Sequence, residues 1–549
     1  MVWQRNLFFS VALLLGLGAV SAGLLQPDRL GKRLQSIEMV DRSEIHQTVD
    51  AVDGEFRKFW ETGGLQVAGP APVQTVMRRL SLGLTGTVPS LEEVRGLEAF
   101  DGANPLDQWL DYLLQDRRCS DYLAERYART LVGADQGPFI VFRRRRFVSW
   151  LSDQLELNVP YDELARQLIQ GEGLWTDAPE VNFLTATVDP EKEGRPDPVV
   201  LTGHLSRALL GLRVDCLECH DDRLGTIVLS SDGQTREGTQ QDFHQLAAYF
   251  GEVENSVTGI RDNDQGEYRY KYLDAEETDI IVPQVPFLES LADGRGPRRQ
   301  QLARWVTHRD NRPFARTAVN RAWAILFGRP LVEPIDDISL VGPYPPGMEL
   351  LASDFIENGF DLRRLFRVIS SLEVFRMESR AEFEVTDRHE QDWAVFPLTR
   401  LRPEQVAGAI SQSASLGTIN AEANYFRQLT RIIDQGDFLV RYGDQGRDEF
   451  DQNPGTVAQR LLMMNGELVR RRTMGNPLFN GSARVSQLAE NDEQAVRMAY
   501  LCVLTREPST REMDYFRHRL EQTGAGEYAE AMEDLYWTLL NSSEFSWNH

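Results

Sequence analysis

The stretch that decides the fold class is NRPFARTAVNRAWAILFG, residues 311–328. Pro313 suits the first turn of a helix, where a missing N–H loses no partner and φ is already helical. Phe314, Ala318, Ala322, Ile325 and Leu326 follow at spacings of three and four, a stripe that must be buried. Gly328 then supplies the left-handed residue that ends a helix. The same grammar recurs elsewhere. Asp361 caps a helix with Leu362, Leu365, Phe366 and Ile369 facing inward. Pro105–Leu114 groups Leu106, Leu110 and Leu113, and Pro160–Leu168 groups Leu164, Ala165 and Leu168. Helical pattern also covers Thr202–Val214, Gln241–Phe250 and the terminal AMEDLYWTLLNSSEFSWNH. The chain is expected to be mainly α.

Outward from these helices the pattern breaks in a few places. Within residues 251–297, EYRYKYL alternates, and DIIVPQVPF has the β-branched run and prolines of an edge strand or extended loop. This predicts two helical domains, 74–257 and 298–549, joined by an irregular segment, 258–297, with a few short β-strands. Residues 23–73 read as a polar, irregular extension closing in the linker-like GGLQVAGPAP, and 176–198 as an acidic, proline-rich loop. Residues 1–22 read as a signal peptide: Arg5, an apolar run from Leu7 to Gly18, then Ala19-Val20-Ser21-Ala22 with cleavage after Ala22. An uncleaved anchor is the alternative, and no other segment approaches membrane-spanning length. The expected location is therefore exported: periplasm, cell envelope or secreted.

Composition narrows the function. Among 549 residues, 59 Lys and Arg stand against 83 Asp and Glu, a formal net charge of −24. So acidic a chain lacks the basic face that phosphate neutralisation needs, which excludes nucleic acid as the main partner. Four cysteines are too few for a disulfide scaffold. No G-x-S-x-G, Walker A, HExxH or Rossmann glycine pattern occurs.

One motif is sharp: Cys216-Leu217-Glu218-Cys219-His220, a C-x-x-C-H. Two thiols at this spacing can add to the two vinyl groups of one haem, and the adjacent histidine can bind the iron as proximal ligand. The competing readings are a C-x-x-C disulfide or redox pair with an incidental histidine, and a structural or metal use. No methionine lies between Met77 and Met348, so the nearby candidates for a distal ligand are His204 and His244. His204 is carried roughly 18 Å away by a continuous helix. His244, on a helix that can fold back, is the preferred distal candidate, against a plain histidine beside Phe243, Leu246, Ala247 and Phe250. A five-coordinate iron is equally consistent. Other constellations are weak: the basic run Arg143–Arg146, the acidic groups Asp221/Asp222 and Glu333/Asp336/Asp337 with their calcium reading, and Cys119 and Cys502.

Several blocks together carry a family resemblance. RRLSLGLTGTVPSLEEV, LLGLRVDCLECHDD and QQDFHQLAAYF are followed by NRPFARTAVNRAWAILFGRPLVEPIDD, FPLTRLRPEQVAGAI and LLNSSEFSWNH. In this order they resemble secreted planctomycete proteins with a cytochrome-like (PSCyt-type) domain followed by a planctomycete-specific (PSD-type) domain. The resemblance spans roughly residues 74–255 and 298–549 and implies architecture more than activity, since both domains are of unknown function. It departs in places: Asp222-Arg223 stand where C-H-D-H-P is usual, Ile325 and Gly347-Met348 where histidine-containing sequence is common, and His244 where an aromatic residue is common. If those histidines bind metal or catalyse in relatives, that function is expected to be lost here.

The combined expectation is an exported protein holding c-type haem (haem c) through Cys216, Cys219 and His220. It would transfer electrons to a redox or envelope protein partner, for which a net negative face would suit a basic surface. The alternative is a haem-free secreted scaffold or interaction protein with a Cys216–Cys219 disulfide. A polysaccharide hydrolase stands third and would rest on a carboxylate pair at catalytic separation.

Overall fold

The computed structural model describes residues 42–133, 143–188, 194–223, 225–231, 234–272, 276–419, 438–439, 441–443, 450, 455–474, 480–524 and 527–549. The expected signal segment, residues 1–22, lies outside the described residues. Helices dominate, and every sheet among the described residues has two strands. The mainly α expectation stands.

The helices that organise the molecule are α1 (Ser43–Gly63), α2 (Val73–Thr85), α3 (Pro105–Gln115), α4 (Arg117–Val132), α5 (Arg144–Glu156), α6 (Tyr161–Gln170), α7 (Pro198–Leu205) and α8 (Gln240–Ala247). After an extended stretch come α9 (Arg298–Val306), α10 (Arg312–Phe327), α11 (Met348–Glu357), α12 (Leu362–Ser371), α13 (Pro403–Ser413), α14 (Asp492–Leu504) and α15 (Tyr528–Leu540). α10 begins with Pro313 in its first turn and ends at Gly328, whose φ of 77° is left-handed. Asp361 caps α12 by accepting from the Arg364 amide at 3.0 Å.

α10 is the hub, with every residue from Pro313 to Phe327 buried. Trp323 stacks on Phe327 with centroids 4.4 Å apart and meets Trp393 edge-on at 5.1 Å. Polar Asn320 is buried there because its amide donates to the Val332 and Ile335 carbonyls at 2.9 and 3.2 Å and accepts from the Val332 amide.

Three readings of the sequence change. Residues 43–63, read as irregular, form α1: Ile45, Val49, Val52, Phe56 and Trp60 make one buried face against α11 and α12. The two helices approach so closely that a Cβ on Gly347 would sit 2.6 Å from the Val52 side chain, and Gly347 also holds φ 78°. The loop read over 176–198 contains two short helical turns, Pro179–Val181 and Asn182–Thr185. The helix read over Thr202–Val214 stops early, passing through a π-turn at Ser206–Leu210 to Gly211 at φ 62°.

A hairpin of β1 (Val228–Ser231) with β2 (Gln234–Glu237) lies within the first helical region, just ahead of α8, while β3 (Val253–Ser256) with β4 (Gly259–Asp262) and β5 (Arg269–Tyr270) with β6 (Asp279–Ile280) lead into and occupy the segment between the two regions, all antiparallel. That segment is joined to the core: Ile260, Val285 and Phe287 belong to the same apolar cluster as Ile45 and Phe545. Two adjacent buried arginines fasten α2 to distant chain. Arg78 donates to the Val503 carbonyl at 3.0 Å, and Arg79 to the His549, Phe375 and Met377 carbonyls at 2.7 to 2.9 Å. Burial pushes Arg78 down to about 10 and Arg79 to about 9, both still charged at neutral pH. No described helix is long and apolar enough to cross a membrane.

Candidate functional site

The C-x-x-C-H begins on a 3₁₀ turn, Asp215–Glu218, that follows Gly211, with Cys219 and His220 just past its end. Gly211 is required twice over: its φ is left-handed, and a Cβ there would meet the Thr317 hydroxyl of α10 at 2.6 Å. The approach to the turn is pinned to the second region. The Ile338 amide donates to the Gly211 carbonyl at 2.7 Å, Arg213 pairs with Asp336 at 2.7 Å, and Arg207 pairs with Asp336 at 3.6 Å.

Within the motif the residues divide by direction. Leu217 is buried, packed so close to Gly238 that a Cβ there would come within 2.8 Å of it. Cys216, Cys219 and His220 are exposed, and both thiols are free. The Cys219 amide donates to the Cys216 carbonyl at 3.3 Å, which closes one turn between the two cysteines. His220 Nδ1 lies 2.8 Å from the Asp221 carbonyl oxygen. A carbonyl only accepts, so Nδ1 carries the hydrogen, and the neutral ring keeps its lone pair on Nε2.

The turn stands on a clamp beneath it. The Glu218 carbonyl accepts from Gln240 Nε2 at 2.9 Å, His244 Nε2 at 3.0 Å and the Tyr270 hydroxyl at 3.3 Å. His244 is fully buried and stacks on Tyr270 with ring centroids 3.4 Å apart. Burial drives its pKa below the usual histidine value and so favours a neutral ring, although the bond to the Glu218 carbonyl partly opposes the shift. With Nε2–H given to Glu218, Nδ1 accepts from the Tyr268 hydroxyl at 2.8 Å. Both nitrogens of the expected distal ligand are therefore engaged, and neither is open to an iron in this arrangement. Burial also raises the Tyr270 hydroxyl, with a smaller push from neighbouring Cys219 and then Glu218, which puts this ring beside the motif.

α8 completes the support. Thr239 and Asp242 form a capping box, and Asp221 Oδ1 accepts from the Gln240 amide at 2.8 Å, a carboxylate at the positive end of the helix. Asp222 is likewise committed, to the Ile227 amide and the Thr226 hydroxyl.

The other sequence candidates take structural places. Among the described residues no group of three or more His, Cys, Asp or Glu could hold a metal ion. Asp336 pairs with Arg213 and Glu333 with Arg329, so these two acids serve arginine partners as Asp221 and Asp222 serve backbone ones. In the basic run, Arg144 is buried and forked onto Glu125 at 2.7 and 3.0 Å, while Arg143 lies over Trp175 at 4.9 Å. Cys119 and Cys502 are buried, free thiols, pushed by burial up to about 12 and about 11. His204 sits on α7, separated from the motif by the break at Gly211.

The clamp was hidden in the sequence behind an available signal. Tyr268, Tyr270 and Tyr272 are alternate residues of EYRYKYL, the spacing of one strand face, and all three rings gather round His244.

Against family models, residues 51–255 match PSCyt2, a protein of unknown function (DUF1549), and residues 298–430 match PSD1, a protein of unknown function (DUF1553). The first match begins inside α1. No curated protein and no solved structure matches the chain.

Proposed function

Since this chain belongs with the proteins that carry a PSCyt2 domain ahead of a PSD1 domain, we propose that its C-x-x-C-H turn is a covalent haem c attachment site in an exported electron-transfer protein. The observation that carries this reading is the display itself: two exposed thiols and an exposed histidine on a turn whose backbone is clamped from below. The donor set fits the group. Cys216 and Cys219 would form the thioethers, and His220 would offer Nε2 while the Asp221 carbonyl fixes its ring. Haem so bound would supply a one-electron redox centre. The sixth position would stay open or be filled by something other than His244, whose nitrogens already serve Tyr268 and Glu218.

The second reading is a haem-free scaffold or interaction protein with a Cys216–Cys219 disulfide. It is favoured by the same pair of free, exposed thiols at the two ends of a single hydrogen-bonded turn.

A haem stain on a denaturing gel, with a pyridine haemochrome spectrum, tests the first reading on protein exported from a host with c-type maturation machinery. Haem that survives denaturation and is absent from Cys216→Ser/Cys219→Ser supports it. A colourless protein from a host that loads a control cytochrome overturns it and leaves the disulfide to be mapped by thiol labelling.

A further inference from the structure

Away from the motif, a cavity of about 570 Å³ opens where the two matched regions meet. Arg166 of α6 comes from the first region; Arg304 of α9, His308 and Arg309 of the following turn, and Arg312 of α10 come from the second. Such a concentration of guanidinium groups is unexpected in a chain of net charge −24. The volume falls within the roughly 300–1,000 Å³ of small-molecule sites.

The arginines are held mainly from outside the cavity wall. Arg166 is fixed by Asp162 at 2.7 Å, Arg304 by Asp293 at 2.7 Å, and Arg312 by Glu349 at 3.5 Å, none of which lines the cavity. The Ser353 hydroxyl, on the cavity wall, accepts from Arg312 at 2.9 Å. These bonds leave donors unused: among the described residues, Arg309 has no partner, and the contacts of Arg312 all run through Nη1. His308 Nδ1 accepts from the Asp310 amide at 3.2 Å, so the neutral ring keeps a donor at Nε2. An arginine fork held in place, as Arg312 is by Ser353 and Glu349, and a second with all its donors open, as in Arg309, suit a tetrahedral oxyanion, which takes parallel N–H bonds.

Two carboxylates, Asp310 and Glu357, line the same cavity. They would repel a bare anion but accept hydrogen bonds from hydroxyl groups. We infer that the seam cavity binds a small polyol carrying a phosphate or sulfate ester, with the ester on Arg309 and Arg312 and the hydroxyls on Asp310 and Glu357. The site does not depend on haem attachment.

Isothermal titration of the full chain, at constant ionic strength, with glycerol phosphate, inorganic phosphate and inorganic sulfate tests this. Glycerol phosphate is expected to bind saturably and more tightly than either inorganic ion. Arg309→Gln removes an exposed, unpartnered side chain, so thermal stability should hold while affinity falls about tenfold. Glu357→Gln should weaken glycerol phosphate and leave inorganic phosphate unweakened. Absence of saturable binding, equal affinity for glycerol phosphate and inorganic phosphate, or affinity unchanged in both Arg309→Gln and Arg312→Gln would each overturn the assignment.

Discussion

The α10 hub and the C-x-x-C-H turn use the same forces to opposite ends. In the hub, apolar side chains fill most of the space and the buried polar groups are turned inward to protein partners, Asn320 to loop backbone and Arg321 to the Thr130 hydroxyl. At the turn, the buried groups, Leu217 and His244, hold the backbone so that Cys216, Cys219 and His220 stay in water. Packing sets stability in the first region and presentation in the second. Damage to each should therefore be read with different instruments.

The largest effect is expected from Trp323→Ala, which opens a cavity among Phe56, Phe327 and Trp393. A loss of about 3–5 kcal/mol in urea unfolding is expected, with Cys216 and Cys219 labelled by a thiol reagent at an unchanged rate while the protein remains folded. Altered labelling in the folded state would show that the turn depends on hub packing, and the contrast would collapse.

An intermediate effect separates the regions by pH. Burial pushes the Asp53 carboxyl of α1 up to about 6, opposed by the bond it accepts from the Glu373 amide. Between its ordinary value of 3.8 and about 6 the folded state holds a proton that the unfolded state has lost, so this group makes folding less favourable as pH rises through that window. His244 has the opposite sign: the unfolded ring takes a proton below about 6.5 that the folded ring resists, so its contribution is complete above that pH and is lost as pH falls. Asp53→Asn should remove a slope worth on the order of 2 kcal/mol between pH 4 and 7, measured by urea unfolding at several pH values. An unchanged slope would mean that Asp53 is charged in the fold.

The smallest effect should be the most local. His244→Phe keeps a ring against Tyr270 but removes one donor from the Glu218 carbonyl. About 1 kcal/mol is expected, seen as faster amide exchange at Leu217 and neighbouring residues while α10 amides are unchanged. Equal acceleration in both regions would mean that they unfold as one unit.

These regions were also unequally legible. The hub could be read because a helix announces itself locally: Pro313 and Gly328 bracket it, and its buried stripe repeats at the helical period. α1 shows the same spacing from Ile45 to Trp60, but set among charged residues and ahead of a glycine-rich stretch it read as polar. Its apolar face acquires a purpose only against α11 and α12, supplied some 290 residues later in the chain. The motif residues were visible by spacing, whereas the role of His244 was not. A histidine near a possible haem site reads as a ligand until Tyr268 and the Glu218 carbonyl are found on its two nitrogens.

The sequence alone determined the helical class, the order of the two matched regions and the presence of the C-x-x-C-H triplet, because periodicity, capping residues and motif spacing are properties of neighbours along the chain. Only the tertiary structure decided that the triplet faces water, that His244 supports it from beneath, and that arginines from both regions meet in one cavity. The direction and partners of a side chain are set by whichever distant segment packs against it, and no local pattern carries that information.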